Sequence, residues 1–261
     1  MIDLKQDTKA NGMSEEKARS IRILVTGERE DLDHRLPSEL GFNGLSLEWI
    51  SLPLLRFERL TVDAEVIENA LAIPPEWIIF TSIRTVTFWS ELLMETGVDF
   101  PLESQVACIG ETTAEAANQD GFTPDFYPTE PGSEKFLEEF EHLLSNNSVK
   151  PRVLIPISES GRGLIALRLK ELGCTVTTLP IYRTIAREDA GRWISQEQIA
   201  KSSMIIFTSP SSVDAFLQNF SVPENISVAC LGKYTSEYLS KKGLKNRIVP
   251  GGDFERVGEL L

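Results

Sequence analysis

Short runs of apolar, often β-branched residues alternate along this chain with longer stretches in which apolar positions recur every three or four residues. The short runs predict strands at Ile21–Thr26, Leu45–Ile50, Trp77–Thr81, Gln105–Ile109, Thr123–Tyr127, Arg152–Pro156, Thr175–Pro180, Met204–Thr208, Ser227–Leu231 and Asn246–Val249. Between them, Ser133–Leu144 and Leu164–Gly173 carry helical spacing, with a glycine placed to end the second. Strands without a polar face, alternating with helices, need cover on both sides of the sheet. The expected fold class is therefore α/β with parallel, doubly wound sheets.

The pattern is written twice. Ile23-Leu24-Val25 returns as Val153-Leu154-Ile155, Phe80-Thr81-Ser82 as Phe207-Thr208-Ser209, and Val106-Ala-Cys-Ile-Gly110 as Val228-Ala-Cys-Leu-Gly232. A fourth pair, Ser51-Leu-Pro-Leu-Leu-Arg56 and Thr178-Leu-Pro-Ile-Tyr-Arg183, shares the spacing of the Phe-Thr-Ser pair. A repeat of this length is a domain duplication, not a solenoid. The Leu-Pro blocks follow the second strand of each half, where a doubly wound domain would begin its next helix. Proline removes a ladder donor and disfavours helix in the preceding residue, so both blocks should be extended edge or connecting segments, able together to form a two-stranded link between domains.

Composition narrows the chemistry. The chain has 261 residues, 41% of them hydrophobic and 25% charged, enough for two modest cores. A net charge of −13 repels nucleic acid and anionic membranes, so neither is an expected partner. Cys108, Cys174 and Cys230 lie in or beside apolar runs with no ligand-like spacing and read as core residues of a cytoplasmic protein. No metal is expected, because His34 and His142 stand in no ligand pattern. There is also no P-loop and no Gly-x-Ser-x-Gly elbow. Residues 1–20 are polar and mixed in charge, without a secretory signal, and read as a flexible tail with some helix near Glu15–Arg19.

Candidate chemistry concentrates where strands feed helices, since open α/β sheets bind ligands outside the carboxyl ends of their strands. Thr81 and Ser82 in one half, and Ser209 and Ser211 in the other, are hydroxyls in such turns. Each serves either as a helix cap or as part of an anion site built from hydroxyls and free amides. Thr113 and Thr235, both three residues after a glycine, pose the same choice. Gly161 and Arg162 lie in a turn whose Gly161-x-Gly163-x-x-Ala166 spacing formally fits a dinucleotide fingerprint. The following strand lacks the expected carboxylate, which leaves an anion-binding turn or a purely structural one. Tyr182 replaces Leu55 of the first half and is either a packing residue or a donor.

Together these motifs resemble the uroporphyrinogen-III synthase family from about Ile21 to the C-terminus. They are Phe-Thr-Ser-x-x-x-Val, Ile109-Gly-x-Thr-Thr-Ala-Glu-Ala116, the Gly-Arg turn ahead of Leu169-x-x-Leu-Gly173, Leu179-Pro-Ile-Tyr-Arg183 and Phe207-Thr-Ser-Pro-Ser-Ser-Val213. The resemblance implies two similar flavodoxin-like domains joined by a two-stranded linker. The first would comprise residues 21–52 and 181–261, and the second, inserted, residues 53–180. It implies a cofactor-free enzyme that closes the linear tetrapyrrole hydroxymethylbilane in an interdomain cleft, with loss of water and inversion of the last ring. A monomer is expected, since two domains already form the cleft and the sequence shows no heptad or separate assembly motif. Tyr182 would assist departure of the hydroxyl. Thr113, Thr235, Ser82 and Ser209 would fall on substrate-binding turns, with Thr81, Ser211, Gly161 and Arg162 beside them. Arg84 and Lys233 depart from the family pattern and would supply cations for the substrate's eight carboxylates. The alternative is a catalytically inactive ligand-binding or regulatory protein of the same fold.

Overall fold

The computed structural model describes residues 20–27, 32, 36–37, 41–42, 45–145, 149–161 and 163–261. Residues 1–19 of the expected tail, His34 and Arg162 lie outside the described residues, while Ser20 begins the first strand. In chain order the elements are β1 (Ser20–Thr26), β2 (Gly41–Phe42), β3 (Leu45–Leu52), β4 (Leu55–Arg59), α1 (Ala64–Leu71), β5 (Trp77–Phe80), α2 (Ile83–Thr96), β6 (Gln105–Cys108), α3 (Glu111–Gln119), β7 (Pro124–Phe126) and α4 (Ser133–Ser145). They continue with β8 (Arg152–Ser158), α5 (Leu164–Glu171), β9 (Thr175–Ala186), α6 (Gln196–Ala200), β10 (Met204–Phe207), α7 (Pro210–Asn219), β11 (Ser227–Cys230), α8 (Lys233–Lys241) and β12 (Arg247–Ile248).

The described residues form two six-stranded sheets, β2-β3-β1-β10-β11-β12 and β4-β9-β8-β5-β6-β7. Apart from the edge strands β2 and β4, each has the flavodoxin-like order 2-1-3-4-5. In the second sheet the chain enters at the third position, β5, and supplies the first two, β8 and β9, last. The chain divides into two compact units, one of residues up to Leu55 with Ala186–Leu261, the other Arg56–Ile185. The sequence reading placed these joints at 52/53 and 180/181.

Alternation along each central strand feeds two cores. In β10, Ile205 and Phe207 join one apolar cluster while Met204 and Ile206 join another. In β5, Ile78 and Phe80 pack on one side, Trp77 and Ile79 on the other. This two-sided burial is why both strands read as unbroken apolar runs. The helices cover the faces by their own spacing. Val86, Trp89, Leu92 and Leu93 form the buried stripe of α2, which Gly97 ends at φ 70° with its N–H on Leu93 O. Phe136, Phe140 and Leu144 form the stripe of α4, with the two phenyl rings stacked at 5.1 Å.

One strand expectation needs correction. The first Leu-Pro block leads into the edge strand β4 from Leu55, in line with an extended edge segment, but the block of the second half does not end its strand, because β9 runs unbroken through Pro180 to Ala186. The sheet accommodates the proline with a bulge: Ile157 pairs with Pro180, but the next residue, Ser158, pairs with Tyr182. β4 and β9 are sheet neighbours. Arg187 N donates to Leu54 O and Leu60 N to Ile181 O, both at 2.8 Å, so the two strands run antiparallel.

A hydroxyl network ties β1 to β10. The buried Thr26 Oγ1 lies 2.9 Å from Ser212 Oγ and accepts from Thr208 N at 3.1 Å. The Thr208 hydroxyl donates to Thr26 O. Replacing Thr26 by isosteric Val leaves these groups short of partners in a buried site, and should cost about 1–3 kcal/mol in urea unfolding; a change within about 0.5 kcal/mol would contradict the network. All three cysteines are free and buried, and burial pushes the Cys108 thiol up to about 12. A thiol reagent at pH 8 should therefore label none of them in the folded protein and all of them in denaturant, as read by mass spectrometry.

Candidate functional site

The residues singled out from the sequence collect at the carboxyl edges of the two sheets, one set in each unit. In the second unit, β9, β8, β5 and β6 lie side by side. The ends of β8, β5 and β6 carry the Gly161 turn, the Thr81-Ser82-x-Arg84 turn and Thr113, and Tyr182 lies within β9 opposite Ser158, the last residue of β8. Backbone bonds lock the loop starts together, with Ile109 N on Phe80 O at 3.0 Å and Glu159 N on Tyr182 O at 2.7 Å. In the first unit, the ends of β10 and β11 carry Ser209 and Ser211, then Lys233 and Thr235.

Ser82 and Ser209 are helix caps. The Ser82 hydroxyl accepts from Thr85 N at 3.2 Å and Thr85 Oγ1 accepts from Ser82 N at 3.1 Å; Ser209 and Ser212 repeat the arrangement at 3.2 Å each way. Capping occupies one lone pair of each serine and leaves its hydroxyl proton unused among the described residues. The duplicated turns differ beyond the cap. Thr208 is bound to Thr26, whereas Thr81 has no such tie, because the position matching Thr26 is Pro156 and carries no hydroxyl. Ser211 is an exposed residue of the first turn of α7.

Thr113 and Thr235 are the sharper feature. Each is the third residue of a helix whose cap is a glycine without a side-chain cap bond, and each is buried, at 3% and 6% exposure. The other buried polar residues described, Thr26, Thr85, Ser104, Ser202 and Ser212, all make side-chain hydrogen bonds within the chain. Among the described residues, Thr113 and Thr235 make none. Both hydroxyls stand at matching positions beside first-turn helix amides, so each helix start presents donors to solvent or to a ligand. The glycines ahead of them differ: a Cβ at Gly110 would press on Pro131 Cβ at 3.0 Å, whereas one at Gly232 would meet nothing within 4 Å. Gly232 has extended φ and needs no glycine for its backbone, and it leaves the strand end open.

The Gly161 turn has a structural reason. Gly161 N donates to Ser158 O at 2.8 Å, and an added Cβ would lie 2.8 Å from that same oxygen. Gly163, at φ 58°, opens α5 in the left-handed region. The dinucleotide spacing is thus accounted for by the turn.

Tyr182 is half-buried against the core of its unit. The bulge at Pro180 allows consecutive residues, Ile181 and Tyr182, both to meet that cluster, which a regular strand would forbid. Its ring touches Phe88 of α2 at 5.4 Å and Phe57 of β4 at 6.4 Å between centroids. Its hydroxyl makes no hydrogen bond among the described residues. The matching Leu55 packs on the core of the other unit, so the duplicated position is a packing position to which a phenol has been added. Arg84, second residue of α2, places its guanidinium carbon 3.6 Å over the Phe57 ring. Lys233, first residue of α8, is exposed and makes no ion pair among the described residues. Both cations stand at the positive end of a helix dipole, where side-chain charge is ordinarily negative.

Sequence reasoning missed Thr26 and Ser212, whose signal was a threonine ending an apolar strand, and Phe57 and Phe88, which carried none. Among the described residues no three His, Cys, Asp or Glu side chains converge as a metal requires, and no helix is long and apolar enough to cross a membrane.

Comparison with known proteins places this arrangement. The family model of uroporphyrinogen-III synthase HemD matches residues 40–252. A curated relative, the uroporphyrinogen-III synthase of Chlorobaculum parvum, is 25% identical over 182 residues, 66% of this chain and 72% of that one. Among solved structures, the uroporphyrinogen-III synthetase of Helicobacter pylori is 21% identical with a TM-score of 0.59, covering 92% of this chain and 98% of its own. A mutant uroporphyrinogen III synthase of Thermus thermophilus is 18% identical with a TM-score of 0.54, covering 92% and 95%. These two show a shared fold. With the family model spanning most of its length, the chain belongs to the uroporphyrinogen-III synthase family.

Proposed function

We propose that the protein is a uroporphyrinogen-III synthase, closing hydroxymethylbilane to uroporphyrinogen III with loss of water and inversion of the last pyrrole ring. Family membership supports the reading, and one observation in this chain carries it: the paired threonines Thr113 and Thr235 at matching helix starts, whose hydroxyls make no hydrogen bond among the described residues. The substrate has eight carboxylates and suits donors of this kind. Each unit offers free first-turn amides, a threonine hydroxyl, a serine proton left over from capping and a cation, Arg84 or Lys233.

Departure of the hydroxyl from the first ring leaves an azafulvene, which the last ring attacks through its substituted carbon to give a spiro intermediate. Fragmentation and reclosure then yield the inverted ring. Tyr182 is the group proposed to donate to the departing hydroxyl, since its own hydroxyl has no competing bond among the described residues. Much of the remaining work is conformational. Uninverted closure needs no enzyme, so the carboxylate contacts act by holding the chain in the geometry of the other closure.

The direct test supplies enzymatically generated hydroxymethylbilane, oxidises the product and resolves the isomers. Type III should predominate, and type I alone would overturn the reading in favour of an inactive binding protein. Thr113→Val and Thr235→Val should each raise KM about tenfold, the weight of a hydrogen bond to a charged acceptor. Because neither hydroxyl is bonded among the described residues, urea midpoints should stay at the wild-type value, unlike that of Thr26→Val. Tyr182→Phe should keep its fold and lose kcat at constant isomer ratio; unchanged kinetics would remove the tyrosine from the mechanism.

A further inference from the structure

Phe57 has a position that its sequence context did not announce. It lies on β4, the edge strand next to β9, and its ring meets two residues of the proposed site at once. The Arg84 guanidinium carbon sits 3.6 Å over the ring, and the Tyr182 ring lies 6.4 Å away at 61°. Phe88 completes the surround of Tyr182 at 5.4 Å and 43°. The strand beneath is held in place by ion pairs. Glu58 meets Arg56 at 3.0 Å and Arg183 of β9 at 2.9 Å, while Arg59 reaches Glu91 of α2 at 3.5 Å and also pairs with Glu95.

Two constraints give the contact meaning. A cation in the first turn of a helix opposes the helix dipole, and the negative face of an aromatic ring offsets that at Arg84. Among the described residues Tyr182 has no hydrogen bond to orient its phenol, and ring contacts set where the hydroxyl points. Phe57 takes part in both with a single side chain.

We propose that Phe57 is a positioning residue, holding the Arg84 cation for a substrate carboxylate and the Tyr182 phenol for the departing hydroxyl. The proposal rests on the synthase reading. It sets the two site residues against one ring, so that loss of the ring affects binding and turnover together while loss of Arg84 affects binding alone.

The experiment is a cycle of Phe57→Leu, Arg84→Gln and the double variant, with Phe57→Tyr as the conservative control. Steady-state constants are measured with hydroxymethylbilane, and Kd by fluorescence titration with uroporphyrin III, an unreactive octacarboxylate. Phe57→Leu should raise KM and Kd about fivefold, in line with a partly desolvated cation–π contact, and lower kcat. Phe57→Tyr should restore all three. In the Arg84→Gln background, Phe57→Leu should add nothing to KM or Kd but still lower kcat. A merely structural role would reduce the active fraction, and hence apparent kcat, while leaving KM and Kd alone; that result, or additive effects on Kd, overturns the proposal. If the wild-type protein yields only type I product, the synthase reading falls and the Kd cycle alone decides Phe57: coupling there upholds its positioning of Arg84. Absence of uroporphyrin binding by the wild type overturns both.

Discussion

A parallel strand buried on both faces has nowhere to place a polar side chain except at its ends, and that constraint organises this protein. Strands β5 and β10, Trp-Ile-Ile-Phe and Met-Ile-Ile-Phe, are buried at every position. Their apolar runs stop where the helices begin, and hydroxyls, glycines and cations gather at the stop. The helix that follows contributes amides without intrahelical partners. The chemistry therefore has one place to go in each unit, the carboxyl edge of the sheet, and duplication of the fold duplicates that edge.

The two edges are not equivalent, and the differences trace to single substitutions. Thr26 draws Thr208 and Ser212 into a closed network in the first unit. Pro156 stands at the matching place in the second, and the Thr81 hydroxyl is left outside any such network. A side chain at Gly110 would crowd the nearby Pro131, while Gly232 clears open space. A duplicated scaffold can thus hold one turn as structure and leave its copy available for a ligand, without altering strand order or caps. Tyr182 follows the same logic, since a packing position filled by Leu55 in one unit carries a phenol in the other.

Pro180 shows how a local conflict can be put to use. A proline inside a strand costs a ladder bond, and the sheet answers with a bulge that skips Ile181. The bulge breaks strict alternation, allowing Ile181 and Tyr182 to share one face. Without it, regular alternation would set the phenol on the face opposite Ile181, away from the core cluster that includes Phe88. The proline was legible in the sequence as a disturbance, but as the end of a strand. What it produces depends on the register of the neighbouring strand, which no local pattern encodes.

Much of the fold and part of the site could be read from residues alone. Periodicity located most of the strands, because burial on two faces leaves a continuous apolar run, and the internal repeat exposed the duplication because equivalent positions meet equivalent neighbours. Turn residues such as Ser82, Thr113, Ser209 and Thr235 were visible because strand ends are where polar residues must accumulate. The choice between cap and ligand contact was not visible, since it rests on whether a hydroxyl already has a partner: Ser82 and Ser209 cap, while the Thr113 and Thr235 hydroxyls make no hydrogen bond among the described residues. Strand β4 and the Phe57–Arg84–Tyr182 contact were hidden as well, because they join segments far apart in the chain. The sequence by itself determined the class of fold, its duplication and the strand ends that carry polar groups, all consequences of local pattern and solvent. Only the tertiary structure decided which of those groups are already satisfied and which rings meet, because hydrogen bonds and ring contacts depend on register and packing between distant residues.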